Sequence, residues 1–193
     1  MKPAALSLLL LVPLAWGSFA GAQSMPQSTS SAPQWRQSQE TNVADSYAFT
    51  RFTLLGKFST SQHNEASDRP ALTVDCIPAT AASHRSGKFV AANLLVGTPL
   101  KIVYVEPEEI HGMSYYPKVA VRYRTDAKEA ERDKWSPGTD KTSAAIPKDA
   151  LKKILRAHAV AITANDERGT KVTMQFDLPD PVSVEQACNV DER

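Results

Sequence analysis

Four histidines and two cysteines are the residues of this 193-residue chain best suited to chemistry, but none stands in a catalytic or metal-binding motif. The histidines are His63, His84, His111 and His158. No HExxH sequence is present, and Glu109-Ile110-His111 alone is not a set of metal ligands. The segment Gly112-Met113-Ser114-Tyr115-Tyr116 begins like a nucleophile elbow but lacks its last glycine. The sequence therefore predicts no catalytic residue, no metal and no cofactor.

A row of basic residues is the best indication of a binding surface. Lys118, Arg122 and Arg124 would point to one side of a strand, because side chains alternate across a strand. Arginine and aromatic residues are favoured at interfaces. Three aromatic residues lie near this row in the sequence: Tyr115, Tyr116 and Trp135. We predict that these six residues dock a protein or an anionic polymer. The alternative is a solvated sheet face whose basic residues protect an edge.

Alternating strands are the elements that must position this row. Residues 118–124 place Val119, Val121 and Tyr123 opposite the basic side chains. The clearest alternation covers residues 171–178, with four apolar side chains on one face and four polar ones on the other. The apolar four are Val172, Met174, Phe176 and Leu178, and the polar four are Lys171, Thr173, Gln175 and Asp177.

One helix is predicted from Pro147 onward, with Leu151, Ile154, Leu155 and His158 at helical spacing on its apolar side. A shorter helix is predicted after Asp180 and Pro181, near the C-terminus. About seven strands with turns between them complete the pattern. Residues 129–132 are read as a possible helical turn, and residues 135–138 as a turn. We predict a mainly β, antiparallel sandwich or barrel-like domain with one packed α-helix and a short C-terminal helix.

The N-terminus has the pattern of a secretory signal. Lys2 precedes an apolar run over residues 6–19, and Ala20-Gly21-Ala22 fits a small-residue cleavage site. The run is short for a membrane anchor, so we predict a signal peptide over residues 1–22 and a periplasmic or secreted protein. Residues 23–44 are rich in Ser, Gln and Pro and predict a flexible tether. The folded domain is then predicted over residues 45–193.

Export changes the interpretation of Cys76 and Cys188, because an even number of cysteines in an oxidising compartment favours a disulfide. Such a bridge would close a loop of about 110 residues and contribute roughly 4–5 kcal/mol in the chain-entropy model. Two unpaired buried thiols are the alternative. Cys76 would point inward from a strand that also carries Leu72 and Val74.

Charge and hydropathy narrow the range of partners. The formal net charge is +1, and one of the basic residues, Lys2, belongs to the predicted signal. A nearly neutral chain lacks the broad basic surface of a nucleic-acid-binding protein. No later stretch is long and apolar enough to predict stable insertion into a membrane.

The order of several segments resembles a periplasmic accessory family associated with bacterial type VI secretion. The segments are residues 70–76, residues 119–124, Trp135-Ser136, residues 150–155, Phe176-Asp177-Leu178 and Ala187-Cys188. The resemblance implies a paired Cys76 and Cys188 and a role beside a secretion apparatus. It implies no catalytic residues.

Three functions remain open from the sequence. The first is a non-enzymatic envelope accessory protein that binds an envelope protein or an anionic envelope polymer. The second is a small envelope hydrolase or a metal-dependent enzyme, which should show histidines or acidic residues in a deep pocket. The third is an inhibitor or a carrier of a small apolar ligand, which should show an apolar cavity.

Overall fold

A computed structural model describes residues 32–44, 46–59, 69–79, 89–105 and 115–188. The predicted signal peptide, the first part of the predicted tether and three of the histidines lie outside these residues. Those histidines are His63, His84 and His111. No helix in the described ranges is long and apolar enough to cross a membrane.

The described residues form eleven strands and two helices, and all strand pairings are antiparallel. The strands are β1 Arg36–Asn42, β2 Tyr47–Leu55, β3 Lys57–Phe58, β4 Ala71–Ile77, β5 Phe89–Leu95, β6 Ile102–Val105, β7 Tyr116–Thr125, β8 Glu131–Pro137, β9 Ser143–Ala145, β10 Ala159–Asn165 and β11 Lys171–Asp177. The helices are α1 Lys148–Leu155 and α2 Val182–Cys188. The predicted fold class is confirmed: mainly β and antiparallel, with one packed helix and a short C-terminal helix.

The strands form one curled sheet in the order β1-β2-β4-β5-β9-β8-β7-β10-β11-β3, with β6 beside β7. β2 pairs with β4 and β3 pairs with β11, yet Gly56 alone separates β2 from β3 in the chain. A Cβ at Gly56 would lie 2.5 Å from Phe176 Cε1 and 2.7 Å from the Gln175 carbonyl oxygen. The glycine therefore lets the chain pass close to β11 and bring distant members of the sheet together.

The hydrophobic core fills the inside of the curl. Trp135, Phe52, Phe176 and Ile162 are all at most 1% exposed, and they come from four different strands. Helix α1 adds its apolar side, and its buried residues are Ala150, Leu151, Ile154 and Leu155. The alternation predicted for β7 and β11 is therefore the alternation between core and solvent.

The predicted disulfide is confirmed, and it joins Cys76 of β4 to Cys188 of α2. Both residues are buried, at 8% and 2% exposure. The Asp180 carboxylate accepts a hydrogen bond from the Val182 amide at 3.0 Å, as the predicted start of α2 requires. The bridge fixes this short helix to a central strand across 112 residues of sequence.

The predicted tether extends too far along the chain. Residues 36–42 form β1, which pairs with β2 over seven positions, instead of a flexible linker. All seven positions carry polar or charged side chains and none is buried, so composition gave no sign of a strand. Backbone pairing and an ion pair from Glu40 to Arg51, at 2.7 Å, hold β1 in place. The folded part therefore begins before the predicted boundary at residue 45.

The prediction for residues 129–138 is wrong. The sequence predicts a helical turn over residues 129–132 and a turn at Trp135-Ser136-Pro137-Gly138, whereas Glu131–Pro137 is β8. Pairing with β7 and burial of Trp135 override the local preference of a highly charged segment.

β6 has no buried residue and exposes Tyr104 at 69%. One smaller expectation also differs from the structure. The sequence places His158 on the apolar side of the helix, but α1 ends at Leu155 and the His158 side chain is 98% exposed.

Candidate functional site

The outward faces of four adjacent strands form an open groove of about 750 Å³. The strands are β8, β7, β10 and β11, which are neighbours in the sheet. We call this surface the basic groove. Its cations are Arg122, Arg124, Arg132, Lys134 and Lys171, and its uncharged polar residues include Ser59, Thr163, Asn165, Thr173 and Gln175.

The groove and the core lie on opposite faces of the same strands, because successive side chains of a strand point to opposite faces. In β7, Val119, Val121 and Tyr123 are at most 4% exposed and point inward. Arg122 lies between Val121 and Tyr123 and Arg124 follows Tyr123, and both arginines are exposed. The same alternation holds in β11, where Val172, Met174 and Phe176 are buried. The groove side chains are therefore carried on rigid strands rather than on loops.

Two arginines face each other across neighbouring strands of the groove. Arg122 of β7 is directly opposite Arg132 of β8, and Lys134 is opposite Ala120 one step along the strands. Directly opposite residues have Cβ atoms about 4.5–5.5 Å apart, and like charges at such positions are destabilising. Arg122 and Arg132 therefore repel each other, although both are exposed and neither is needed to fill the core.

The described part of the chain supplies no ion-pair partner to the five cations of the groove. One carboxylate, that of Asp133, is among the described residues that line it. Its oxygens accept hydrogen bonds from Trp135 Nε1 at 2.9 Å and from the Lys134 amide at 2.7 Å. Asp133 thus supports the fold of β8, and the groove keeps an excess of positive charge.

Hydroxyl and amide groups occupy the opposite side of the groove. The Thr163 and Thr173 hydroxyls are hydrogen-bonded to each other at 2.9 Å, across β10 and β11. Gln175 lies on β11 next to Thr173 on the same face, opposite Ala161. These groups both donate and accept hydrogen bonds, so this side is suited to uncharged polar groups of a ligand.

On the outer face of β1, β2 and β4, the central cation Arg51 is paired with carboxylates, unlike the cations of the basic groove. Arg51 donates two hydrogen bonds to Asp75, from Nε at 2.6 Å and from a terminal nitrogen at 2.9 Å. Its other terminal nitrogen lies 2.7 Å from Glu40. The hydrogen bonds to Asp75 are the main cause of the raised pKa of Arg51. The positive charge of Arg51 is therefore balanced by two carboxylates of the protein itself.

The structure separates the six residues predicted to bind a partner. Arg122 and Arg124 line the basic groove. Lys118 is on the same face of β7, but its Nζ donates to Ser136 Oγ at 3.0 Å. Tyr115 and Tyr116 are exposed at 58% and 51%, at the beginning of β7 rather than in the groove.

The prediction of Trp135 as a surface contact is wrong. Its side chain is 0% exposed and packs against Tyr123, with ring centroids 5.9 Å apart. The indole N–H is satisfied by Asp133. Trp135 is a core residue because it lies on the inward face of β8, a strand that the sequence did not reveal.

Groove residues on β8, β10 and β11 were missed as candidates. Arg132 and Lys134 alternate with Asp133 and Trp135, but this pattern was hidden by the assignment of a turn. The outward positions of Lys171 and Thr173 were correctly predicted, yet nothing in the sequence placed them near Arg122. Thr163 lies opposite Arg122 through the pairing of β10 with β7, which is likewise a property of the register.

A metal site is not found among the described residues. No group of three His, Cys, Asp or Glu side chains there is arranged to hold a metal ion. His158 does not line the basic groove. A second cleft of about 320 Å³ lies beside the disulfide, and its lining includes Phe49, Ile77 and Phe89. The surface of this cleft is mainly apolar.

Comparisons with known proteins do not assign this chain to a family. No family model matches it, and neither a curated protein nor a solved structure shows significant similarity to it. The resemblance to a type VI secretion accessory family therefore stays a prediction from the sequence.

Proposed function

We propose that this chain is a non-enzymatic binding protein that holds an anionic partner in the basic groove. The observation that carries the proposal is the pair Arg122 and Arg132, directly opposite in register and without an ion-pair partner among the described residues. An anionic group placed between two guanidinium groups would relieve their repulsion and accept strong, charge-assisted hydrogen bonds.

The charge distribution supports ligand binding rather than solubility as the role of these cations. The net charge of the chain is +1, so solubility does not explain five cations in one concave surface. Arginine predominates on the β7 and β8 side, and its planar guanidinium matches carboxylate and phosphate groups better than an ammonium does.

An extracytoplasmic location fits this proposal. The disulfide between Cys76 and Cys188 belongs to an oxidising compartment, and the predicted signal peptide would deliver the chain to the periplasm. In its finer form, the proposal is that the protein attends a type VI secretion apparatus. That form depends on the sequence resemblance, and the genes around the coding sequence would test it.

A carrier of a small apolar ligand is the second candidate, because of the cleft beside the disulfide. Its volume of about 320 Å³ is at the lower end of the range for small-molecule sites. Binding of a hydrophobic fluorescent dye that is abolished by Phe49→Ala, with the melting temperature unchanged, would support this candidate. The same dye bound equally by both proteins would count against it.

The proposed function is tested by titration of the protein with polyanions. We expect polygalacturonate or polyglutamate to bind, and neutral dextran not to bind. The double variant Arg122→Ala/Arg132→Ala should lose affinity by about 30-fold or more, since hydrogen bonds to charged groups contribute about 1.5–3 kcal/mol each. Binding should also weaken as salt is added, because salt screens exposed charges.

A matched control removes the same charge elsewhere. The double variant Arg36→Ala/Lys152→Ala loses two cations that do not line the groove, and it should bind like the wild type. Equal loss of affinity in both double variants would mean that net charge alone attracts the polyanion. That result, or the absence of any binding by the wild type, would refute the proposal.

A further inference from the structure

Four residues of the basic groove form a straight row across four strands. Arg132 is opposite Arg122, Arg122 is opposite Thr163, and Thr163 is opposite Thr173. Directly opposite residues share a face of the sheet. Neighbouring strands are about 4.8 Å apart, so the row is about 14 Å long. It has guanidinium groups at one end and hydroxyl groups at the other.

The rows on either side each add a cation on the β7 and β8 side. Arg124 is opposite Ala161, which is opposite Gln175. In the other direction, Lys134 is opposite Ala120 on the cationic side, and Asn165 is opposite Lys171. Successive rows are about 7 Å apart, because they are two residues apart along each strand. The row of Arg124 ends in Gln175 on β11, whereas the row of Lys134 ends in a second cation, Lys171.

From this arrangement we infer that the ligand of the basic groove is an acidic polysaccharide, which lies along the strands. The inference depends on the proposed function, that the groove binds an anionic partner. Acidic groups of successive sugar units would face the arginines. Ring hydroxyls would face Thr163, Thr173 and Gln175, whose groups can donate and accept hydrogen bonds as hydroxyls themselves do.

Two other classes of anionic polymer fit the groove less well. Single-stranded nucleic acids are held by outward aromatic rings on which bases stack, whereas the one aromatic residue in the described lining, Tyr123, has its side chain in the core. An extended acidic peptide usually pairs with an open sheet edge. β7 and β10 each have neighbours on both sides at the centre of the groove, so the groove offers the face of the sheet.

The pair Thr163→Val/Thr173→Val tests the inference. Both hydroxyls of the 2.9 Å hydrogen bond are removed together by groups of the same shape, which should leave stability nearly unchanged. We expect affinity for polygalacturonate to fall about 5- to 10-fold, the loss of one to two hydrogen bonds. Affinity for polyglutamate of matched length should not change. Melting temperatures should establish that the variant is folded.

The outcomes separate this inference from the proposed function. If polygalacturonate binds the threonine variant as tightly as the wild type, or if polyglutamate binds the wild type more tightly than polygalacturonate, the polysaccharide is the wrong ligand class while the proposed function stands. If neither polymer binds the wild type, the proposed function and the inference both fail.

Discussion

Two outer faces of the same sheet use arginine for opposite purposes. On the face formed by β1, β2 and β4, Arg51 makes close contacts with Asp75 and Glu40, and this network fastens the edge strand β1. On the face formed by β8, β7, β10 and β11, Arg122 and Arg132 face each other, with no carboxylate to pair with in the described chain. On the proposed function, the binding surface is marked by cations without a carboxylate partner, more than by positive charge itself.

The largest expected change in stability comes from removing the disulfide. This bridge joins α2 to β4, the strand that also carries Asp75, the partner of Arg51. Cys76→Ala/Cys188→Ala should lower the free energy of unfolding by about 3–5 kcal/mol, since the bridge restricts a long loop in the unfolded chain. Urea denaturation measures this change. Polyanion affinity of the folded protein should not change, because neither cysteine lines the basic groove.

A free-thiol assay on the native protein is the control for this prediction. It should detect no reactive thiol. Two reactive thiols, or a double variant as stable as the wild type, would contradict the role of the bridge.

The second effect separates the two faces directly. Arg51→Ala should lower the free energy of unfolding by about 2–3 kcal/mol, because the Asp75 carboxylate, with its side chain 9% exposed, loses two charge-assisted hydrogen bonds. Arg51→Lys should restore part of this loss, since an ammonium cannot form the bidentate pair. Affinity for polyanions should stay at the wild-type value. An affinity loss in Arg51→Ala with no change in stability would reverse the assignment of the two faces.

The smallest effect is a pH dependence located at the contact of α1 with the sheet. Glu131 accepts hydrogen bonds from Lys153 Nζ at 2.6 Å and from the Tyr123 hydroxyl at 3.0 Å. The bond from Lys153, and then that from Tyr123, lower the pKa of Glu131 below its ordinary value of 4.5. The folded state thus binds fewer protons than the unfolded state in this range. Its contribution to stability is present above pH 4.5 and is lost as the pH falls through the lowered pKa.

Urea midpoints between pH 6 and pH 3 test this prediction. Glu131→Gln should flatten the decline of stability toward acid. A slope should remain from Asp126, whose pKa is lowered mainly by the amide of Ala159, and from Asp140, whose pKa is lowered mainly by the hydrogen bond from the Thr142 side chain. Arg122→Ala/Arg132→Ala should keep the wild-type slope, because the groove cations are not paired with described carboxylates. A wild-type slope in Glu131→Gln would exclude this contact as its source.

Strands that carry regularly spaced or continuous apolar residues could be predicted from the sequence, whereas the polar strand β1 and the highly charged strand β8 could not. In β7 and β11 every second side chain is buried in the core, so apolar residues alternate with polar ones in the sequence. β1 buries no side chain and is held by backbone pairing, so its composition resembles that of a linker. In β8, Glu131 and Asp133 occupy inward positions through bonds to Tyr123 and Trp135, which conceals the alternation.

The site was predictable only within one strand. Arg122 and Arg124 share a face of β7 by parity alone, and the structure places both in the basic groove. Arg132 and Thr163 enter the site through the registers of β8 and β10, which are set by long-range packing. A strand pattern predicts which way a side chain points, but it does not predict which side chain it faces.

Thermal unfolding of the wild type and of Arg122→Ala/Arg132→Ala, each with and without polygalacturonate, tests the central claim most directly. If the groove holds unpaired charge for an anionic ligand, the free variant should melt at or slightly above the wild-type temperature, since a cross-strand repulsion is removed. The polymer should raise the melting temperature of the wild type and leave that of the variant unchanged. A variant that melts well below the wild type, or that responds equally to the polymer, would contradict the claim.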